Sequence, residues 1–90
     1  MEIIMEKINK KLKAKAYPIE KLYPWELKHS GATLIGRCPL HHPDNNPSFV
    51  LYRATNSFNC FAGCGGGDSI TFLMKLYSID FKEAIERLTR

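Results

Sequence analysis

Hydrophobic and polar positions in the first part of the chain follow the spacing of an amphipathic helix. In residues 2–15, apolar side chains recur every three or four positions and lysines occupy the other face, with Ile4, Met5, Ile8 and Leu12 as the apolar positions. The pair Tyr17-Pro18 ends this helix, because a residue before proline avoids the α region. Pro18 then suits the first turn of a short second helix that runs to Leu22.

The C-terminal part predicts two more helices, each preceded by an aspartate. Asp68 is a good N-cap for a helix from Ser69 to about Tyr77, with an apolar face made of Ile70, Phe72, Leu73 and Leu76. Asp80 caps a last helix whose inward positions are Phe81, Ala84, Ile85 and Leu88.

Between these helical ends the pattern changes to that of β-strands. One hairpin is predicted with strands at Trp25–His29 and Thr33–Arg37, joined by a turn at Ser30-Gly31. A second pair, Ser48–Arg53 and Ser57–Phe61, turns at Thr55-Asn56. Alternation puts Phe49, Leu51 and Arg53 on one face of the sheet, and Val50 and Tyr52 on the other. The fold class is therefore α+β, with a small antiparallel sheet between N- and C-terminal helices.

Size and composition exclude several classes of function. Ninety residues with 44% hydrophobic side chains form one small domain, whose core usually needs an additional staple. A polymerase, kinase or dehydrogenase domain does not fit this length. No apolar run approaches the roughly 20 residues of a membrane span, and the N-terminus lacks the apolar region of a signal peptide. We expect a cytoplasmic protein with no membrane association.

Charge is concentrated near the N-terminus. The chain carries a net charge of +4, and the excess of lysine and arginine over acids lies entirely in residues 1–37. A basic segment favours an anionic partner such as nucleic acid. The alternative is a solvated, lysine-rich helix face.

Three cysteines and one histidine form two close pairs, Cys38-x-x-His41 and Cys60-x-x-x-Cys64, separated by residues 42–59. Two pairs of this kind are typical of one tetrahedral structural zinc ion, held by two turns that each follow a strand. Gly63 and Gly65 can supply the positive φ of such a turn. The zinc would also be the staple of the small core. The pattern predicts a zinc ribbon with zinc knuckles.

The sequence offers several alternatives to this site. His42 competes with His41 as fourth ligand, and His41 is preferred because Cys-x-x-His makes the tighter knuckle. His29 is an ordinary strand histidine. A catalytic zinc is disfavoured because four protein ligands leave no open position and no general base accompanies them, which also argues against a hydrolase or deaminase. Three buried free cysteines with a surface histidine are the remaining alternative.

The chain resembles the zinc-binding domain of bacterial and phage DNA primases. The resemblance runs from about Pro18 to the C-terminus, over the segments Cys38-Pro-Leu-His-His-Pro-Asp-Asn-Asn-Pro-Ser-Phe49, Phe58-Asn-Cys-Phe61 and Gly65-Gly-Gly-Asp-Ser-Ile-Thr-Phe-Leu-Met74. It implies Cys38, His41, Cys60 and Cys64 as the zinc ligands. The last pair is usually Cys-x-x-Cys in the family, whereas here Gly63 holds that place. A site completed by water or His42 instead of Cys64 is the alternative.

The resemblance implies a module that recognises single-stranded DNA template. It would assist a separate polymerase domain in RNA primer synthesis during replication, with a replicative helicase as a further partner. The candidates for contact with DNA are Arg53, Arg37, Lys28, Tyr52 and Phe58. Among them, the two arginines are preferred over the two aromatic residues. Residues 1–16 form a basic helical extension and residues 17–90 the primase-type zinc ribbon. The chain has no catalytic centre for polymerisation, so it is part of a primase or an accessory protein, for example of a phage or mobile element.

A hypothesis of another class is a zinc-stapled protein–protein adaptor without nucleic-acid binding. It rests on the apolar face of the first helix, which needs a partner surface, and on the balanced charge of residues 38–90. Salt-dependent DNA affinity would discriminate the two hypotheses.

Overall fold

The computed structural model describes residues 2–41 and 47–90, with side chains for 8–41 and 47–90. Helix α1 is followed by a short 3₁₀ helix, five strands and two further helices. Their bounds are α1 Glu2–Ala16, the 3₁₀ helix Ile19–Lys21, β1 Lys28–Ser30, β2 Thr33–Gly36, β3 Phe49–Tyr52, β4 Ser57–Cys60, β5 Gly65–Gly67, α2 Ser69–Tyr77 and α3 Phe81–Leu88.

The five strands form one antiparallel sheet in the order of the sequence. Leu34 in β2 pairs with Leu51 in β3, which pairs with Phe58 in β4. All three are buried, so this row lies on the inner face of the sheet. The alternate positions are only half-buried and form what we call the outer face: Thr33, Ile35, Val50, Tyr52, Ser57 and Asn59.

Aromatic rings fill the core beneath the inner face. Phe49 stacks on Tyr23 at 5.3 Å between ring centroids and on Phe58 at 5.6 Å. Phe72 from α2 contacts both phenylalanines of the sheet, at 5.6 and 5.2 Å. Cys38 and Cys60 belong to the same buried cluster, so the sheet core reaches the cysteines directly.

A second core joins the three α-helices. Its buried members are aliphatic and small: Ala14, Ile70, Leu73, Ala84 and Leu88. The buried hydroxyl of Ser69 donates to the carbonyl of Ala14, which ties the start of α2 to the last turns of α1. No helix among residues 2–41 and 47–90 is long and apolar enough to cross a membrane.

Asn56 connects the sheet to the end of α1. Its side-chain amide donates to the carbonyls of Lys15 and Tyr17, both at 2.8 Å, and its oxygen accepts from the backbone N–H of Ile19 at 3.0 Å. The residue adopts φ +48°, a left-handed conformation that asparagine tolerates better than most residues. One turn residue thus satisfies backbone groups at the bend between α1 and the 3₁₀ helix.

The predicted α+β class and the antiparallel sheet are confirmed. All four predicted helices are present, and Asp68 and Asp80 cap α2 and α3 as expected, by accepting from the N–H groups of Thr71 and Glu83. The strand after Pro24 is shorter than predicted and begins only at Lys28. Trp25 instead packs edge-on against Tyr23, with 6.1 Å between centroids.

One further strand was not predicted, and one further assignment was wrong. The glycine stretch after Cys64 forms strand β5, which side-chain patterning cannot reveal because glycine has no side chain. Phe81 was assigned to the buried face of the last helix, yet 46% of it is exposed. It is the first residue of α3, and its ring lies at the surface next to the ammonium of Lys11.

Candidate metal centre and nucleic-acid surface

Four potential metal ligands converge at one end of the sheet. The donor atoms of Cys38, His41, Cys60 and Cys64 all lie within 4.8 Å of one another. Cys38 and Cys60 are buried, whereas His41 and Cys64 are half-buried. Cys38 lies two residues after the end of β2 and Cys60 is the last residue of β4, so the sheet itself sets the separation of the two pairs.

The first pair occupies a tight turn after β2. The backbone N–H of Leu40 points at the sulfur of Cys38 from 3.4 Å. This N–H stabilises negative charge on the sulfur, as expected for a knuckle that holds a thiolate. The turn brings His41 back toward the cysteines with its Nδ1 atom facing them.

The second pair spans the loop of the β4–β5 hairpin. Cys60 pairs with Gly65 in the ladder, and Cys64 directly precedes it. The N–H of Gly63 donates to the carbonyl of Cys60 at 3.2 Å. Gly63 and Gly65 have φ of +105° and +86°, which a residue with a Cβ atom rarely adopts. These two glycines let three residues stand between the cysteines while both sulfurs still reach one point.

Two of the donor separations match those of a tetrahedral zinc site. With about 2.3 Å from zinc to sulfur and about 2.05 Å to nitrogen, a tetrahedral site has S–S edges of about 3.8 Å and S–N edges of about 3.6 Å. The sulfurs of Cys38 and Cys64 are 3.8 Å apart, and Cys60 Sγ lies 3.7 Å from His41 Nδ1. The His41–Cys64 edge is shorter, 2.9 Å, which is hydrogen-bonding distance. Three sulfurs and one imidazole nitrogen are a donor set that zinc prefers.

The protein environment shifts the pKa values of the three thiols in different directions. Burial raises the pKa of Cys38 to about 12. Burial also opposes ionisation of Cys60, but hydrogen bonds from the backbone N–H groups of Cys64 and Ala62 and from the side chains of Cys38 and Ser48 together lower the pKa of Cys60 to about 7. Burial raises the pKa of Cys64 despite the nearby ammonium of Lys75. A cation at the centre would therefore be needed to hold all three as thiolates.

The other two histidines, His42 and His29, do not belong to the group of four in the described structure. His42 lies outside the described residues. His29 is exposed in the edge strand β1 and is not a member of the four-residue group. Lys75 from α2 is a neighbour of the site that sequence reasoning missed, and only the packing of α2 against β5 brings it there.

Two of the predicted DNA-contacting residues lie together. Lys28 and Arg37 line a groove of about 560 Å³ at the β1 side of the sheet, which we call the Trp25 groove; it is lined by Trp25, Glu26, Leu27, Lys28, Ile35, Gly36, Arg37 and Pro47. The Arg37 guanidinium lies 4.8 Å from the ring centroid of Trp25. Trp25, 38% exposed, was not singled out from the sequence, because its role depends on the position of Arg37.

The other three candidates are dispersed. Tyr52 is half-buried on the outer face. Arg53 follows β3 at the inner-face rim and forms an ion pair with Glu20 at 3.1 Å. Phe58 is 2% exposed and stacks within the aromatic core, so its ring does not present a surface to a base. Its register with Leu51, which sequence could not fix, turns it inward.

Comparison with known proteins gives the class of this domain. The chain matches the CHC2 zinc finger family over residues 2–90, so the match includes helix α1. Its fold is similar to the crystal structure of the Aquifex aeolicus primase (zinc-binding and RNA polymerase domains), with a TM-score of 0.71, 31% identity, and coverage of 87% of this chain and 19% of that one. The chain belongs to the CHC2 zinc finger family.

Curated relatives make the kind of zinc finger more specific. The DNA primase of Mycoplasma pneumoniae is 38% identical over 86% of this chain, and that of Thermotoga maritima is 33% identical over 98%. This chain spans 12% and 16% of those two proteins. It is a zinc-binding domain of the DNA primase type, and its Cys-His-Cys-Cys group fits one structural zinc ion.

Proposed function

We propose that this domain recognises single-stranded DNA template and assists a separate primase polymerase domain in RNA primer synthesis. Cys38, His41, Cys60 and Cys64 would hold the zinc ion, which keeps two knuckles together at one end of the sheet. The relationship to DNA primases supports the assignment, and the surface beside the sheet supplies its physical basis. A replicative helicase remains a further expected partner.

The outer face and the Trp25 groove together suit an extended nucleic acid strand. Lys28 in β1 pairs with Ile35 in β2, and Ile35 pairs with Val50, so the three share one row of the outer face. Tyr52 lies on the same face two residues after Val50. This face offers an aromatic ring and aliphatic contacts to bases, and the exposed Lys28 offers charge to phosphates.

The observation that carries the proposal is the stack of Arg37 on Trp25. An arginine guanidinium on an aromatic ring is planar and cationic, so a base can stack on it while its donors reach a phosphate. The Tyr23 hydroxyl holds the backbone of this arginine by donating to the Arg37 carbonyl. Lys28 in the same groove adds a second cation.

Arg53 contributes less in this arrangement. Its ion pair with Glu20 occupies its guanidinium and cancels its charge. Its position at the inner-face rim also separates it from the outer face. We therefore propose Arg37 and Lys28 as the principal phosphate contacts and Arg53 as a secondary one that Glu20 weakens.

The DNA-binding surface is tested by fluorescence anisotropy with a mixed-sequence single-stranded oligonucleotide over a salt series. Contacts to about three to five phosphates give a log–log salt slope of about −2 to −3.5. We expect Arg37→Ala and Lys28→Ala each to weaken binding several-fold. Glu20→Gln should strengthen binding by releasing Arg53, and this gain should vanish when Arg53→Ala is added.

A matched control is Lys82→Ala, which removes an exposed lysine of α3 that does not line the Trp25 groove and should leave affinity nearly unchanged. Equal losses for Lys82→Ala and Arg37→Ala would show only a general effect of charge. Binding that ignores salt, or none at low salt, would contradict the proposal and favour the adaptor hypothesis.

A further inference from the structure

Helices α1 and α3 form a groove that neither the zinc site nor the outer face uses. Its apolar floor is formed by Ile8 from α1 with Phe81 and Ile85 from α3. Ile8 is 49% exposed and Phe81 is 46% exposed. We call this the helix groove, and its volume is about 570 Å³.

The apolar side chains are arranged for contact with another helix. Phe81 and Ile85 are four residues apart on α3, and Ile8 and the exposed Leu12 are four residues apart on α1. Each pair therefore forms a ridge along its own helix. Three of these four side chains, Ile8, Phe81 and Ile85, line the groove, and apolar grooves of this kind accept the apolar side chains of an amphipathic helix.

The charges around the floor select the occupant. Among residues 8–41 and 47–90, Lys10, Lys11 and Lys82 line the groove together with one acidic residue, Glu86. The Lys11 ammonium lies 5.8 Å from the ring centroid of Phe81, so positive charge stands directly beside the apolar floor. A basic rim around apolar contacts is complementary to an acidic amphipathic helix.

We propose that the helix groove docks an acidic amphipathic helix of a partner protein. The helix would place apolar side chains spaced by three or four residues on Ile8, Phe81 and Ile85. Its aspartates or glutamates would face Lys10, Lys11 and Lys82. Docking here leaves the outer face and the Trp25 groove accessible, so one domain would hold a protein and a DNA strand at different surfaces.

The probe is a synthetic peptide of about 20 residues with leucine at helical a and d positions and glutamate at most others. It is titrated into the zinc-loaded, ¹⁵N-labelled full chain, and chemical shifts are followed by NMR. We expect shifts in α1 and α3 around the groove, and at least tenfold weaker binding for the same peptide with glutamate replaced by lysine. Leucine-to-alanine replacement in the peptide should abolish binding.

Variants of the chain test the floor. Ile8→Ser and Phe81→Ser should each weaken the peptide at least tenfold without unfolding the domain, because both side chains are about half exposed. Tyr77→Ser removes an aromatic that is 56% exposed but does not line the groove, and should change nothing.

Three results would overturn the proposal: no shifts at the groove with the acidic peptide, equal binding of acidic and basic peptides, or shifts at the groove with single-stranded DNA in place of the peptide. The last would make it a nucleic-acid surface. Because the Arg37 variant addresses DNA alone and the Phe81 variant the peptide alone, either proposal can fail without the other.

Discussion

The sheet and the three-helix end of this small domain are held together by different means. The sheet buries large aromatic rings on one face and brings four metal ligands to one end. The helical end buries small and aliphatic residues and leaves Ile8, Leu12 and Phe81 exposed. The sheet strands are only three or four residues long. Short strands cannot supply much burial of their own, so the metal matters most where the elements are shortest.

The largest expected effect is the loss of zinc. Structural zinc contributes on the order of 10 kcal/mol in finger peptides, which is comparable to the whole stability of a small domain. Chelation, or Cys38→Ser at the most buried ligand, should abolish cooperative unfolding and the near-ultraviolet circular dichroism of the aromatic core. Ser48→Ala, beside Cys60 at 3.7 Å, is the control and should retain both. A zinc-free chain with an unchanged melting curve would contradict the claim that zinc stabilises the sheet.

The second effect compares the contributions of Cys60 and Cys64, the two cysteines of the β4–β5 hairpin, to zinc affinity. Cys60 is buried and Cys64 only half-buried, yet both sulfurs belong to the ligand group. We expect Cys64→Ser and Cys60→Ser to lower zinc affinity to a similar extent, measured by competition with a chromogenic chelator. Retention of zinc by the Cys64 variant alone would mean that water or His42 completes the site.

The third effect concerns the link between the two regions. Asn56 makes three hydrogen bonds to the bend after α1, and each contributes about 0.5–1.5 kcal/mol. Asn56→Gly keeps the positive φ available, so its loss of about 2–3 kcal/mol would report the side chain alone. Asn56→Asp retains the acceptor for Ile19 but places a carboxylate oxygen against the carbonyls of Lys15 and Tyr17, so it should lose at least as much. Urea unfolding of the zinc-loaded chain measures both, and no change in Asn56→Gly would show that the link is unimportant.

The smallest effect lies at the helical end. Asp80 accepts from the N–H of Glu83 at 2.8 Å, so Asp80→Ala should lower stability by about 1 kcal/mol, or roughly 4–8 °C in Tm. Asp80→Asn keeps a capping oxygen and should remain close to the parent chain. Loss of cooperative unfolding in Asp80→Ala, as expected for Cys38→Ser, would erase the contrast between the two regions.

Local chemistry explains which features could be predicted. The starts of α2 and α3 could be predicted from Asp68 and Asp80, because an N-cap depends only on the next three residues. The four candidate ligands could be identified because few residue types bind zinc and their spacing within each turn is short. Cys64 was predicted in spite of the unusual spacing, and Gly63 supplies the backbone conformation that accommodates it.

The features that escaped prediction depend on contacts between distant residues. Phe58 faces inward because of its register with Leu51, and strand pairing alone defines the glycine strand β5. Asn56 was identified as a turn residue, but its three bonds reach partners about 40 positions earlier. Trp25 is a candidate for DNA contact only because the Arg37 guanidinium lies over its ring, a contact that the sequence does not show.

X-ray absorption at the zinc edge of the full chain tests the central claim most directly, because it counts the atoms that bind the metal. If Cys38, His41, Cys60 and Cys64 hold one structural zinc, the spectrum will fit three sulfurs at about 2.3 Å and one nitrogen at about 2.0–2.1 Å. The same sample will contain one zinc per chain. Two sulfurs with two nitrogen or oxygen atoms, or a fifth ligand from solvent, would contradict this account of the site.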